Sequence, residues 1–450
     1  MNSVFKASIA LFFVGLLLII WRISIPNTLY DNEYLFLIFS YYIACVAYIV
    51  CVKQYQFDIF HPIHIVTFLY LSLFIFTPIT FININQTDCH GVNVMPGCIK
   101  GTIIFLVGYL TFLCGYSVPF INKRIYRVAN SPRYNSHSLL KTNFILWSIG
   151  FCTQVIHLIL SGKSLVYILT LGENGDAMKI ESKLGFFSNF SFFMIYPWLL
   201  LCFSNIKLKY KITISYLTFS TFFINGARFI FIIMTISFLI SFCRIYKTRI
   251  KMWQISIVFI ALLAFSNFLG DSRRAIAHGT TTDTEISIDR MLYVLQSNFD
   301  IYQIQYSVAH KYPNYKPFDL GGHIFYDTFM FCIPRFLWKD KPKIDNNYAG
   351  QMIRGTIGMA GVNAAMAWPN LTEYYADFGF VGVAIIMFIL GFFSKKMITK
   401  YNGNNKLNLI LYAIFVPILF QIITRGYTPQ NFGLLLFLFF PYFIIRKRLS

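Results

Sequence analysis

The sequence predicts an all-α polytopic membrane protein with about 12 transmembrane helices, and three observations carry that reading. Hydrophobic residues make up 57% of the 450, aromatics 19% and charged residues only 12%. The apolar residues arrive in blocks of about 15 to 20, long enough to cross a hydrocarbon core of ~30 Å at ~1.5 Å per helical residue. Once those blocks are read as spans, every acidic residue except Asp58 falls on one side of the bilayer.

The spans follow in order: Phe5 to Arg22, Tyr34 to Val52, Pro62 to Ile82, Gly101 to Phe120, Thr142 to Leu160, Phe186 to Ser204, Leu208 to Ile224, Phe229 to Cys243, Trp253 to Leu269, Phe378 to Phe393, Leu407 to Thr424 and Thr428 to Ile445. The first is read as a retained helix rather than a signal peptide, because no small-residue cleavage site follows and the run continues into Trp21 and Arg22. Basic residues collect in alternate gaps: Lys123 to Lys141, Lys207 to Lys211, Arg244 to Lys251, Lys395 to Lys406, and Arg446 to Arg448. The positive-inside rule makes those gaps cytoplasmic and puts both termini inside. The net charge of +20 is then a topogenic signal, and no nucleic acid is expected, since the basic residues are split among short loops and form no continuous stripe. Most of the nine cysteines sit inside spans as small apolar groups, while Cys89 and Cys98 share an outer loop where an oxidising compartment permits a bridge.

The chain reads as one integral membrane domain: residues 1–269 with nine helices, a large outer loop at 270–377, and three more helices in 378–450. A loop of that length usually carries function. Within it, Ile288, Met291, Leu292, Leu295, Phe299 and Tyr302 recur at helical spacing, with Arg290 and Asp300 on the polar face. Gly321 and Gly322 then precede an apolar run, His323 to Trp338, too short to span. It reads as a helix lying in the outer interface, or as a packed lid helix with no ligand.

The seventh and eighth spans together hold about 36 residues, or ~54 Å of helix, so their turn at Asn225 to Arg228 should lie below the outer headgroups. An arginine at that depth costs ~2.5–3.5 kcal/mol on insertion scales, so Arg228 needs a partner or a task unless it snorkels to the interface. A second such turn, Thr424 to Tyr427, carries Arg425 on the same side. Two outward arginines at helix junctions point to an anionic ligand. The inner loops hold a single acid and no Gly-rich phosphate loop, which argues against cytoplasmic nucleotide chemistry. A pyrophosphate on a lipid carrier suits guanidinium groups, which grip phosphate oxygens bidentately.

Three segments carry a family resemblance: Ile333-Pro-Arg-Phe-Leu-Trp-Lys-Asp-Lys-Pro342, Glu373-Tyr-Tyr-Ala-Asp-Phe-Gly-Phe-Val-Gly382, and Asn225-Gly-Ala-Arg228. With the overall topology, they resemble the bacterial O-antigen polymerases of the Wzy type and related oligosaccharide repeat-unit polymerases. The resemblance implies a GT-C-like glycosyltransferase of the bacterial inner membrane, with a large periplasmic loop, acting on undecaprenyl-pyrophosphate-linked oligosaccharides. It also implies a chain-length regulator and a flippase as partners, and no cofactor. The growing glycan would pass from its lipid pyrophosphate to the non-reducing sugar hydroxyl of a new repeat unit. Arginines must then stabilise the departing pyrophosphate. Arg228, Arg335 and Arg425 are the first candidates, with Arg273, Arg274, Arg290, Arg354, Lys339 and Lys341 behind them. A base must accept the hydroxyl proton. Glu373 is favoured over His323 and Asp300, because it enters a helix near the membrane, where partial desolvation strengthens a carboxylate as a base.

Each candidate has a plainer reading: Glu373 as a helix-start acid favoured by the dipole, His323 as a cap, Arg335 and Lys339 as nonspecific lipid contacts. Asp31-Asn-Glu33 is similar to the acidic first-loop motif of metal-dependent GT-C enzymes, but two acids without a third ligand do not make a site, and no metal is expected. His61 and His64 flank Pro62 and read as local caps, and Asp283-Thr-Glu285 as a solvated turn. Asn85 and Asn370 head outward sequons. An O-antigen ligase shares the fold, face and donor expected here, and a flippase shares the helix count; the loop at 270–377 argues against a transporter.

Overall fold

The computed structural model describes residues 3–24, 30–53, 58–89, 92–119, 137–160, 189–224, 228–248, 254, 301–333, 337–338, 340–341, 368–401 and 405–449. The helices are α1 (Ser3–Ile23), α2 (Asp31–Val52), α3 (Pro62–Asn83), α4 (Cys98–Ser117), α5 (His137–Leu160), α6 (Asn189–Cys202), α7 (Leu208–Ile224), α8 (Arg228–Ile245), α9 (Tyr302–Lys311), α10 (Asp327–Cys332), α11 (Asn370–Tyr401), α12 (Lys406–Thr424) and α13 (Thr428–Leu449). A two-residue hairpin, β1 (Asp88–Cys89) with β2 (Val92–Asn93), links α3 to α4. Among the described residues seven helices are long and apolar enough to cross a membrane, and Ala10–Ile23, Asn189–Cys202 and Phe229–Ile245 are shorter apolar helices. The chain is an all-α, multi-pass membrane protein. Eleven of the twelve expected spans fall on these helices, while the ninth, 253–269, lies outside the described residues but for Gln254.

Large apolar residues lie both inside the bundle and on its outer faces, as a lipid-solvated bundle allows. On α2, Leu35, Phe39, Val46 and Val50 are exposed, whereas Tyr34, Leu37, Tyr41 and Ala44 are buried. Inside, the Thr67 hydroxyl donates to the Ile63 carbonyl at 2.7 Å and bonds the Tyr109 hydroxyl at 2.8 Å. The Trp147 indole N–H donates to Thr218 at 2.8 Å. The spine of the bundle is the pairing of α4 with α11. A Cβ at Gly115 would collide with the Phe388 carbonyl, and one at Gly391 with the Phe112 carbonyl, so these two backbones touch only because both positions lack side chains.

The two faces inferred from charge stay apart in three dimensions. At the basic end, Asp58 pairs with Arg244, Tyr412 donates to the Phe60 carbonyl at 2.8 Å, and the Lys395 ammonium lies 5.2 Å from the centre of the Tyr116 ring. His61 and His64 sit there too, bonded to the hydroxyls of Tyr116 and Tyr48 at 3.0 and 2.8 Å. At the opposite end Arg22 pairs with Asp31, Lys100 donates to the Tyr312 carbonyl, and Gln305 donates to the Gly101 carbonyl at 2.7 Å.

Two expected elements near the outer loop differ. Helix α11 starts at Asn370 rather than Phe378, and its backbone breaks at Gly379 (φ 64, ψ −153). The last residues of the expected outer loop are therefore a short helix, 370–378, joined through that break to the membrane-crossing part. Only glycine adopts this conformation readily, and a Cβ there would meet the Phe318 ring at 3.0 Å. The run expected as one helix from His323 to Trp338 is instead a π-helical turn, Gly322–Tyr326, followed by α10, which ends at an extended Ile333 (φ −93, ψ 116). Pro334 explains the stop, since a proline disfavours the helical region for the residue before it. Phe325, Tyr326 and Phe329 are exposed on this segment, as an interfacial helix requires. Cys98 is a buried free thiol, while the side chain of Cys89 lies outside the described residues. Asn370 is fully buried and accepts from the Tyr70 hydroxyl at 3.1 Å, so its sequon is no glycan acceptor.

Candidate active site

The break at Gly379 builds the site. Where helix 370–378 ends, the Ala376 and Asp377 carbonyls accept the N–H groups of Asp319 and Leu320 at 3.0 and 2.9 Å, pinning the segment that leads into His323. Gly321 is left-handed (φ 91), and its carbonyl accepts from Phe325 and Tyr326 at 2.9 and 3.1 Å, which widens the following turn. The turn presents His323 to Asp377. Nδ1 of the ring lies 2.6 Å from Asp377 Oδ1, and the same carboxylate accepts the backbone N–H groups of His323 at 3.3 Å and Ile324 at 2.8 Å. Asp319 Oδ2 is 3.8 Å from Nδ1 and is itself held by the Tyr312 hydroxyl at 2.8 Å and by Lys316 at 3.0 Å through its other oxygen. Asp319, His323 and Asp377 thus offer ligand-type atoms within 4.8 Å of one another.

Glu373 lies on the same short helix, one turn before Asp377, and is 2% exposed. Its carboxylate accepts the Thr428 backbone N–H at 3.0 Å and the Thr428 hydroxyl at 2.6 Å, capping the first turn of α13 from another helix. Burial disfavours a charged His323, but the hydrogen bond and charge of Asp377, with the charges of Asp319 and Glu373, outweigh it and hold the imidazole above the ordinary histidine range. Burial likewise pushes the Asp327 carboxyl up, against the pull of His323. The Tyr427 phenol is pushed up by burial and by the charges of Asp327 and Glu373.

Among the described residues, the buried atoms Trp368 Nε1, Tyr427 Oη, Thr328 Oγ1 and Asn431 Oδ1, on the segments around this cluster, have no hydrogen-bond partner. The Trp368 ring is 6.0 Å from the His323 ring, and the Trp368 carbonyl accepts the Gly426 N–H at 2.6 Å, which brings the loop between α12 and α13 against it. Arg425, in that loop, is exposed, and its carbonyl accepts from Asn431 Nδ2 at 2.8 Å.

Of the residues expected from sequence, the structure brings together Glu373 and His323, and sets Arg425 in the loop whose Gly426 bonds the Trp368 carbonyl. Arg228 is the first residue of α8, with its side chain outside the described residues. Lys341 donates to the Ile333 carbonyl at 2.8 Å, capping the end of α10. Asp300, Arg273, Arg274, Arg290, Arg335, Lys339 and Arg354 lie outside the described residues, as do Asp283 and Glu285. Sequence reasoning gave no role to Asp319, Trp368, Asp377 or Tyr427. Two signals were available: Asp377 follows Glu373 by four residues, and Asp319 precedes His323 by four, each one helical turn apart.

The family model for the O-antigen polysaccharide polymerase Wzy matches residues 7–448. The chain belongs to this family. It is accordingly an enzyme that polymerises lipid-linked oligosaccharide repeat units into O-antigen polysaccharide. No curated protein and no solved structure matches it. The family match spans both the spine helices and the acidic mouth, so the geometry described above belongs to a polymerase of surface glycans.

Proposed function

We propose that the mouth formed by His323, Asp377, Asp319, Trp368, Arg425 and Tyr427 is the polymerisation centre, working as a GT-C-like transferase at the periplasmic face of a bacterial inner membrane. Both termini are then cytoplasmic. The supporting observation is the separation of faces: the mouth lies at the end of the bundle remote from Lys395 and Arg244, the residues that mark the cytoplasmic side under the positive-inside rule.

The donor is a growing glycan on undecaprenyl diphosphate and the acceptor a newly delivered repeat unit on the same lipid. A flippase to supply that unit and a chain-length regulator are the partners this implies. The acceptor hydroxyl attacks the anomeric carbon, the anomeric C–O bond to the diphosphate breaks with its electron pair, and the hydroxyl proton goes to His323. Arg425, with Arg228 and Arg335, meets the extra negative charge on the leaving diphosphate. Arg273, Arg274, Arg290, Arg354 and Lys339 are the further cations of this reading. Glu373 and Lys341 are given holding roles instead, since each is engaged in capping a helix end. Trp368, Tyr427, Thr328 and Asn431 offer donors and an acceptor that sugar hydroxyls satisfy.

The reaction is proposed to be metal-independent. Ligand atoms around one cation at ~2.1 Å stand about 3 Å or more apart, whereas Nδ1 and Oδ1 are at hydrogen-bond distance, 2.6 Å. Deleting the gene in a smooth host should leave lipopolysaccharide capped with a single repeat unit. A ladder left intact refutes the assignment, and lipopolysaccharide with no repeat unit at all assigns a ligase or flippase instead. In the same host Arg425→Ala should abolish chain extension with normal membrane insertion, and Arg425→Lys should restore little of it.

A further inference from the structure

Asp377 is a fully buried carboxylate whose contacts converge on one neighbouring turn. Oδ1 takes the His323 ring and the His323 backbone N–H, and Oδ2 takes the Ile324 N–H. As an ionised acceptor it requires a proton on Nδ1, which leaves the lone pair of the neutral ring on Nε2. The backbone bonds matter as much as the ring bond, because they fix the carboxylate to the residue whose ring it orients. Asp319 adds a second negative charge near Nδ1 and is anchored by Tyr312 and Lys316.

We propose that Asp377, supported by Asp319, is the positioning residue of a His–Asp pair: it selects the tautomer in which His323 Nε2 accepts the acceptor-hydroxyl proton and stabilises the imidazolium that results. The inference rests on the polymerisation reading above. The bond that forms is acceptor oxygen to anomeric carbon, and the bond that breaks is anomeric carbon to diphosphate oxygen. The proton held on Nε2 is afterwards released to the departing diphosphate or to water, so the pair returns to its starting state. Titratable groups facing the ring are Asp377 and Glu373 from helix 370–378, Asp319 from the preceding segment, with Lys316 on it, and Asp327 from the following helix.

The test is polymer synthesis by the purified enzyme on the lipid-linked repeat unit of its own host, measured across pH for the wild type, Asp377→Asn, Asp377→Glu, Asp319→Asn and His323→Gln. Asp377→Asn should lower kcat by roughly 10²–10⁴-fold with KM nearly unchanged. In Asp319→Asn the acidic limb of the kcat profile should move to lower pH, because the imidazolium loses a stabilising charge. Asp377→Glu should recover part of the rate. Asp319 is only half-buried, so Asp319→Asn decides the matter if Asp377→Asn fails to fold: an unmoved limb overturns the proposal. Wild-type kcat in a folded Asp377→Asn overturns it as well. So does loss of activity on chelation that a divalent cation restores, which would make the three residues ligands. Inactive His323→Gln beside a fully active Asp377→Asn would defeat the pairing and leave the polymerisation reading standing.

Discussion

Glu373→Gln separates a proton acceptor from a helix cap at a single position. The Glu373 carboxylate is 2% exposed and accepts from the Thr428 N–H at 3.0 Å and the Thr428 hydroxyl at 2.6 Å, at the first turn of α13. Glutamine has the same shape, keeps one carbonyl oxygen for the N–H, and lets the threonine hydroxyl accept from its amide. Burial pushes the Glu373 carboxyl up to about 8 against the pull of its Thr428 bonds, so near neutral pH it is largely uncharged and glutamine mimics that form. The expected cost is therefore about 0–1 kcal/mol. Alanine leaves the Thr428 N–H without its acceptor and the hydroxyl with only the Gly426 carbonyl at 3.4 Å, and empties a buried side-chain site, so Glu373→Ala should cost about 2–4 kcal/mol. The assay pairs apparent melting in detergent with the polymer ladder made in a deletion host. Glu373→Gln should melt slightly lower and still make a full ladder, while Glu373→Ala should lose folded protein. A folded Glu373→Gln that makes only single-unit product would refute this account and make Glu373 the base.

Gly391→Val puts two methyl groups and a Cβ into the Phe112 carbonyl, so the α4–α11 spine must open; folded protein recovered in detergent should fall steeply, and normal recovery would show that the contact is dispensable. The folded pKa of His323 lies above its ordinary 6.5, so its stabilising contribution is complete below about pH 6.5 and is lost as pH rises through the folded value. Wild-type melting temperature should therefore drop across that window while His323→Gln shows a smaller drop, and equal slopes would argue against the ion pair. Tyr427→Phe removes a buried hydroxyl that has no partner among the described residues, so the empty enzyme should gain up to ~1 kcal/mol while KM for the repeat unit rises; unchanged KM would exclude a role in sugar recognition.

The membrane fold was legible because its signals are local. Long apolar blocks, alternating basic gaps and one-sided acids each follow from the cost of burying charge or unpaired backbone in hydrocarbon, and the seven long apolar helices fall where those blocks do. The short hairpin α7–α8, with helices of 17 and 18 residues, was legible for the same reason. The candidate site was legible only as residue types. Glu373 and His323 stood out as acid–base groups near helix starts, but not the partners that hold them. Thr428 is 55 positions from Glu373, and Asp377 is 54 from His323, separations that no periodicity can register.

From sequence alone came the bilayer, the division into a basic and an acidic end, and the inventory of charged groups available at the acidic end, since transfer free energies depend on composition and spacing. Tertiary structure decided which carboxylate meets the imidazole and which meets a helix end. That choice is made by a left-handed Gly379, which breaks α11 and turns Asp377 toward a wide turn begun by Gly321. Hydrogen bonds are short-ranged and directional, so a backbone break of one residue settles what the residue types leave open.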